Sequence, residues 1–130
     1  MLNMTEITEE IIKEFLKEKE LEYLPTHNKL SLPIINRIYK KMTNGIKFEI
    51  VKINENIIID GHHRYISSEL AKSEIEKTSY PKTSATIVYS WNDVVFVNEE
   101  WDTDYKILYL NQLDAKYNDL SLEKMIEISK

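Results

Sequence analysis

One stretch decides the fold: Ile57-Ile58-Ile59-Asp60-Gly61-His62-His63-Arg64-Tyr65. Its isoleucine run predicts a buried strand, and the spacing of the apolar residues Tyr65, Ile66 and Leu70 predicts a helix. Gly61 lies between the two, where the chain must turn sharply and where the absent side chain lets a ligand approach the backbone closely. Residues 57–65 therefore predict a strand, a glycine turn and the start of a helix.

The start of this helix predicts a site for a phosphate group. The first four amides of a helix have no intrahelical partner, and the helix dipole favours an anion there. The guanidinium of Arg64 can bind two phosphate oxygens at once, and His62 and His63 can donate hydrogen bonds or shuttle a proton near neutral pH. Asp60 can orient a histidine or hold a metal ion bound to the phosphate. We predict His62, His63 and Asp60 as catalytic residues, and Gly61, His62, His63 and Arg64 as phosphate- or nucleotide-binding residues.

Helices and strands flank this stretch on both sides. Helical spacing predicts helices at residues 5–19, 31–45, 61–73 and 104–113 and a short helix from residue 121, whereas alternation and β-branched runs predict strands at 48–53, 57–59 and 85–89. Residues 73–83 predict a loop, and residues 91–97 suit either a strand or a short helix. The order of these elements favours an α+β fold, a small mixed sheet with flanking helices.

Bulk composition restricts the function. A chain of 130 residues with 42% apolar and 30% charged residues has the size of one domain. Its net charge of -5 disfavours broad nucleic-acid binding, which depends on Lys and Arg. The absence of Cys excludes disulfides, thiolate metal sites and cysteine catalysis.

The sequence also bears on localisation. No signal peptide and no stretch long enough to cross a bilayer is present, so we expect a cytoplasmic protein without a membrane partner. A domain cut from a larger secreted protein would have the same features.

The run from Asp60 to Tyr65, between a strand and a helix, resembles the signature of the ParB/sulfiredoxin superfamily, whose members share a Gly-x-x-Arg turn. The resemblance extends back to the helix at 31–45 and forward to the strand at 85–89. It predicts a single ParB/sulfiredoxin-like domain over residues 1–130, with a core at about 26–90 and helical extensions at both ends.

The resemblance implies a nucleotide or phosphate pocket at Gly61, His62, His63 and Arg64. In this superfamily the loop before the second helix often contributes pocket residues, which adds His27, although a solvated loop histidine is an equal interpretation. The double-histidine form also resembles nucleotide-dependent kinases that act on free serine. Sulfiredoxin activity is excluded, because His62 stands where that family has its catalytic Cys.

The C-terminal part of the sequence resembles a different group of ParB-like domains. The pairs Leu110-Asn111 and Asp114-Ala115, with the triplet Trp101-Asp102-Thr103, resemble the tails of ParB-like domains at the ends of bacterial polymorphic toxins. A toxin domain would be delivered into a target cell. We also expect no partition-protein activity, since no helix-turn-helix domain follows.

Three functions are compatible with these residues. The first is an enzyme that binds a nucleoside di- or triphosphate, with Mg²⁺ as cofactor, and catalyses phosphoryl transfer or nucleotide hydrolysis. The second is a ParB-like nuclease, which would cleave DNA or RNA with a histidine as acid or base. The third is a module that binds a phosphorylated ligand without turnover.

Simpler interpretations compete with some of these assignments. Gly61 and Arg64 can form a structural turn with a surface arginine. A metal site at His62 and His63 is disfavoured, because adjacent helical residues diverge by about 100 degrees, so we predict no metal ligands in the chain. Trp91 and Trp101 are better interpreted as packing residues than as platforms for base stacking.

Overall fold

The computed structural model describes residues 6–130, which form five α-helices and two small β-sheets. This confirms the predicted α+β class at the level of mixed helices and small sheets. The elements are α1 (Glu9–Glu18), β1 (Lys29–Ser31), α2 (Leu32–Thr43), β2 (Val51–Asn54), β3 (Ile57–Asp60), α3 (His62–Ala71), β4 (Lys77–Ser79), β5 (Val95–Val97), α4 (Asp104–Tyr117) and α5 (Leu122–Ser129), with a 3₁₀ turn at Trp91–Asp93.

Four of the five described helices begin at a capping hydroxyl. The side chains of Thr8, Ser31, Thr103 and Ser121 each accept a hydrogen bond from a backbone amide three residues later, which satisfies one free donor of the first turn. The first predicted helix, at 5–19, therefore begins later than expected, after Thr8. Its predicted first residue lies outside the described part of the chain.

The strands form one three-stranded and one two-stranded sheet. In the larger sheet β2 is central, antiparallel to β3 and parallel to β4. The predicted hairpin of β2 and β3 is confirmed, with Asn54 opposite Ile57. In the smaller sheet β1 and β5 are parallel, with Leu30 opposite Phe96.

Two predicted segments differ in kind from the structure, and the strand predicted at 48–53 begins only at Val51. The strand predicted at 85–89 is absent, because Ile87 and Val88 are exposed and have no core to pack against. The loop predicted at 73–83 instead contains β4, an exposed strand that is held by backbone bonds such as Val51 N–H to Glu76 O at 2.9 Å.

The apolar side chains form a large and a small cluster. The large cluster packs α2 against α3 and the sheets, and it extends from Ile7 to Phe96 in sequence. The small cluster joins Ile46 to Ala115 of α4 and Met125 of α5. The α4–α5 pair thus packs beside the main core and leaves a cavity between α4, α2 and the start of α3.

Within residues 6–130, no helix has the length and apolar character that crossing a membrane requires.

Candidate functional site

The predicted glycine turn forms the start of α3 and differs from the other helix starts. Gly61 has φ 98° and ψ 31°, in the left-handed region, and provides no capping side chain. The first intrahelical bond, from Tyr65 N–H to Gly61 O, is 2.8 Å long. The amides of the first turn, at His62, His63 and Arg64, therefore precede the first helical donor and are free to bind an anion.

Arg64 folds back over this turn. A β-carbon at position 61 would lie only 2.9 Å from Arg64 Nη2 and 3.2 Å from a methyl of Val51. Arg64 Nη2 donates to Ile50 O at 3.3 Å, and Arg64 Nε is buried with no hydrogen-bond partner among residues 6–130. Gly61 thus makes room for the guanidinium directly beside the free amides.

The start of α3 opens into a cavity of about 590 Å³. All six residues predicted for the site line it. They are His27, Asp60, Gly61, His62, His63 and Arg64. The opposite walls come from α2 and α4. Trp101 and Asp102, in the segment that precedes α4, also line the cavity. The structure therefore brings the predicted residues together around one space.

The charges around the cavity are mostly neutralised in pairs. Four cations from residues 6–130 line it, and three of these have a carboxylate partner. Arg37 binds Glu100 through both nitrogens and Asp102 at 3.2 Å, Lys41 binds Asp114 at 2.7 Å, and Lys106 lies 3.9 Å from Asp102.

Arg64 is the exception. Among residues 6–130 its guanidinium has no carboxylate within salt-bridge distance, although it lines the same cavity as the other three cations. An unpaired guanidinium beside free helix amides is the part of the cavity best suited to an anionic group.

His62 anchors the loop that precedes β1. Its side chain is buried, and Nε2 accepts a hydrogen bond from Thr26 N–H at 2.9 Å. Burial, with the nearby His27 and His63, lowers the pKa of His62 to about 3. The ring is therefore neutral at pH 7, and because Nε2 is the acceptor, the proton resides on Nδ1.

His63 anchors the start of α2 in the same way. Its Nε2 accepts from Ser31 N–H at 3.0 Å. Burial lowers the pKa of His63 to about 4, although the carboxylate of Asp102 acts in the opposite direction. Both histidines thus present an Nδ1–H donor, and neither Nδ1 has a hydrogen-bond partner among the described residues. This arrangement favours both histidines as hydrogen-bond donors to an anion, and disfavours them as proton shuttles near neutral pH.

The two other predicted residues lie at the exposed edge of the cavity. His27 contacts His62, with ring centroids 4.4 Å apart. Asp60 is exposed and, like Glu49 on the same cavity, has no salt-bridge partner within residues 6–130. No group of three or more metal-binding side chains occurs within that range. A Mg²⁺ ion at Asp60 would need most of its ligands from phosphate and water, which is how Mg²⁺ is commonly held.

Sequence reasoning missed the polar wall formed by α2 and α4. Lys41 is 4% exposed, and so is Asn111, whose Oδ1 is buried without a hydrogen-bond partner among residues 6–130. A signal for Lys41 existed, because it lies three and seven residues after Ile38 and Ile34, on the buried face of its own helix. A lysine in such an apolar stripe indicates a buried charge with a partner.

Comparison of the chain with protein-family models, curated proteins and solved structures finds no significant match.

Proposed function

We propose that this chain binds a nucleoside di- or triphosphate, with the phosphates at the start of α3, and catalyses phosphoryl transfer or nucleotide hydrolysis. The observation that carries the proposal is the position of Arg64, the one cavity cation without a carboxylate partner within residues 6–130, beside the uncapped helix start at Gly61. Both features attract phosphate, and both face the same cavity.

The phosphate oxygens would accept bonds from three kinds of donor. The backbone amides of the first turn supply the first kind, the guanidinium of Arg64 the second, and Nδ1–H of His62 and His63 the third. Charge-assisted hydrogen bonds contribute roughly 1.5–3 kcal/mol each, about twice as much as neutral ones. Arg64 is therefore expected to contribute more to phosphate affinity than any other single group.

Phosphoryl transfer depends mainly on positioning and on neutralising charge. The two neutral histidines suit positioning, because their Nε2 atoms are held by Thr26 and Ser31 at 2.9 and 3.0 Å. Asp60 lies directly before the turn and is free to accept a proton from an attacking hydroxyl or water. When bound with the nucleotide, Mg²⁺ neutralises phosphate charge, and the carboxylates that would hold it are Asp60 and Glu49, the cavity carboxylates without a salt-bridge partner among residues 6–130.

We further propose that the fold is ParB/sulfiredoxin-like. The order of hairpin, glycine turn and α3, with α2 packed on α3, supports this assignment. The missing strand at 85–89 is the main departure from the expected pattern.

Calorimetric titration of ATP, ADP, CTP and GTP in the presence of Mg²⁺ tests the proposal. We expect at least one nucleotide to bind, and Arg64→Ala to weaken that binding by about 2 kcal/mol, roughly thirtyfold. Arg64→Lys should recover only part of the affinity, because an ammonium lacks the planar fork.

The matched control is Lys124→Ala, which removes one positive charge from an exposed position outside the cavity. It should leave binding unchanged. Binding of none of the four nucleotides, or equal losses in the Arg64→Ala and Lys124→Ala proteins, would refute the proposal. Cleavage of plasmid or RNA, lost in Arg64→Ala, would instead support the nuclease function.

A further inference from the structure

Trp101 is an unusual residue at the mouth of the cavity. Its side chain is 44% exposed, whereas the other tryptophan, Trp91, is 6% exposed and donates from Nε1 to Tyr23 O at 2.8 Å. Of the two tryptophans predicted to pack in the core or at its edge, Trp91 is therefore in the core, whereas Trp101 is exposed and packs against His63. An indole with this much exposed apolar surface on a ligand cavity is available for a contact with the ligand.

The segment that carries Trp101 is held firmly on both sides. Its neighbours Glu100 and Asp102 both bind Arg37 of α2, and Asp102 N–H donates to Glu100 Oε2 at 3.2 Å. One residue earlier, Glu99 O accepts a bond from Ser31 Oγ at 2.8 Å. These contacts fix the backbone around the indole before any ligand arrives, which lowers the entropy cost of a contact made there.

Trp101 also lies next to the phosphate-binding turn. Its ring contacts the ring of His63 edge to face, with centroids 5.5 Å apart and an angle of 87° between the planes. His63 belongs to the first turn of α3, so the exposed indole and the free amides are separated by a single side chain. A ligand that places a phosphate on the amides can therefore reach Trp101 with another of its groups.

From this arrangement, and resting on the proposed function, we infer that Trp101 is the stacking platform for the base of the bound nucleotide. Every nucleobase has a flat π-face that can stack on an indole. The ligand class is therefore a nucleotide and not a phosphorylated sugar or an inorganic polyphosphate. Stacking alone does not distinguish one base from another, so several nucleotides should bind with similar affinity.

The test compares a nucleotide with the same phosphate chain lacking a base. Affinities of ATP and of inorganic tripolyphosphate, each with Mg²⁺, are measured for the unaltered chain, Trp101→Ala and Trp101→Phe. Stacking on one base is worth a factor of roughly 5 to 150 in affinity. We expect Trp101→Ala to lose that factor for ATP and nothing for tripolyphosphate, and Trp101→Phe to keep most of it.

Tyr105→Ala supplies the matched control, because Tyr105 is an aromatic residue 78% exposed on α4 that does not line the cavity. It should change neither affinity. Equal binding of ATP and tripolyphosphate by the unaltered chain, or equal losses for both in Trp101→Ala, would overturn this inference and leave the proposed phosphate site intact. Failure of both ligands to bind would refute the proposed function, and the inference with it.

Discussion

The most direct test of the turn at the start of α3 is the substitution Gly61→Ala. At φ 98° a β-carbon is strained by its own backbone, at a cost of about 1–2 kcal/mol. The added carbon would also lie 3.2 Å from a methyl of Val51, which is fully buried and cannot move away freely. Overpacking of this kind costs roughly 1–3 kcal/mol. We therefore expect Gly61→Ala to lower the free energy of unfolding by about 2–5 kcal/mol.

The second glycine of the chain gives a matched control. Gly45 also has positive φ, at 83°, but a β-carbon there would meet no heavy atom of the described residues within 4 Å. Gly45→Ala should therefore show the backbone cost alone, about 1–2 kcal/mol. The difference between the two variants isolates the close approach at Gly61, and we expect it to be at least about 1 kcal/mol.

Urea unfolding followed by tryptophan fluorescence measures both variants, since Trp91 is buried in the main core and reports its loss. The new β-carbon would also lie 2.9 Å from Arg64 Nη2 and would displace the guanidinium. Nucleotide affinity should consequently fall in Gly61→Ala and stay unchanged in Gly45→Ala. Equal destabilisation of the two variants, with equal nucleotide affinity, would refute the reasoning about this turn.

Two further predictions concern stability. Because the folded-state pKa values of His62 and His63 lie near 3 and 4, below the ordinary 6.5, stability is fully present above pH 6.5 and is lost as pH falls. Each histidine should contribute a loss of about 1.6 kcal/mol between pH 6.5 and 5, measured by urea unfolding. A flat stability profile over that range, or a profile that is unchanged in the double variant His62→Gln/His63→Gln, would contradict this prediction. Removing the partner of the buried Lys41 by Asp114→Leu leaves its ammonium unpaired and should cost about 3–5 kcal/mol, whereas combining Asp114→Leu with Lys41→Met should restore much of the loss. If the free-energy changes of the two single variants add up to that of the double variant, the two side chains are not coupled and the prediction is wrong.

Local signals in the sequence were sufficient for the helices and the hairpin. Capping hydroxyls such as Ser31 and Thr103 precede apolar residues at helical spacing, and both features depend only on nearby residues. The site residues around Gly61 could be predicted from the sequence for the same reason, since a strand, a glycine and a helix start are consecutive in the chain.

Non-local pairing explains what the sequence did not predict. β1 has three residues and exists because it pairs with β5, more than 60 residues away. β4 consists of Lys77, Thr78 and Ser79, all exposed, so no apolar alternation marks it. Residues 85–89 show the converse, because β-branched side chains without a neighbouring strand or core do not form a strand.

The neutral state of the two histidines determines how the proposed site would work. A protonated Nε2 could not accept from Thr26 or Ser31, so charging either ring would release a loop or the start of α2. The structure therefore uses His62 and His63 to hold the cavity walls, and their positive charge is not available for the ligand at pH 7. Positive potential at the turn then comes from the α3 dipole, about half a charge, and from the guanidinium of Arg64. For that reason Arg64 has the largest expected effect on phosphate affinity among the six residues of the site, while the histidines have the larger effect on the fold.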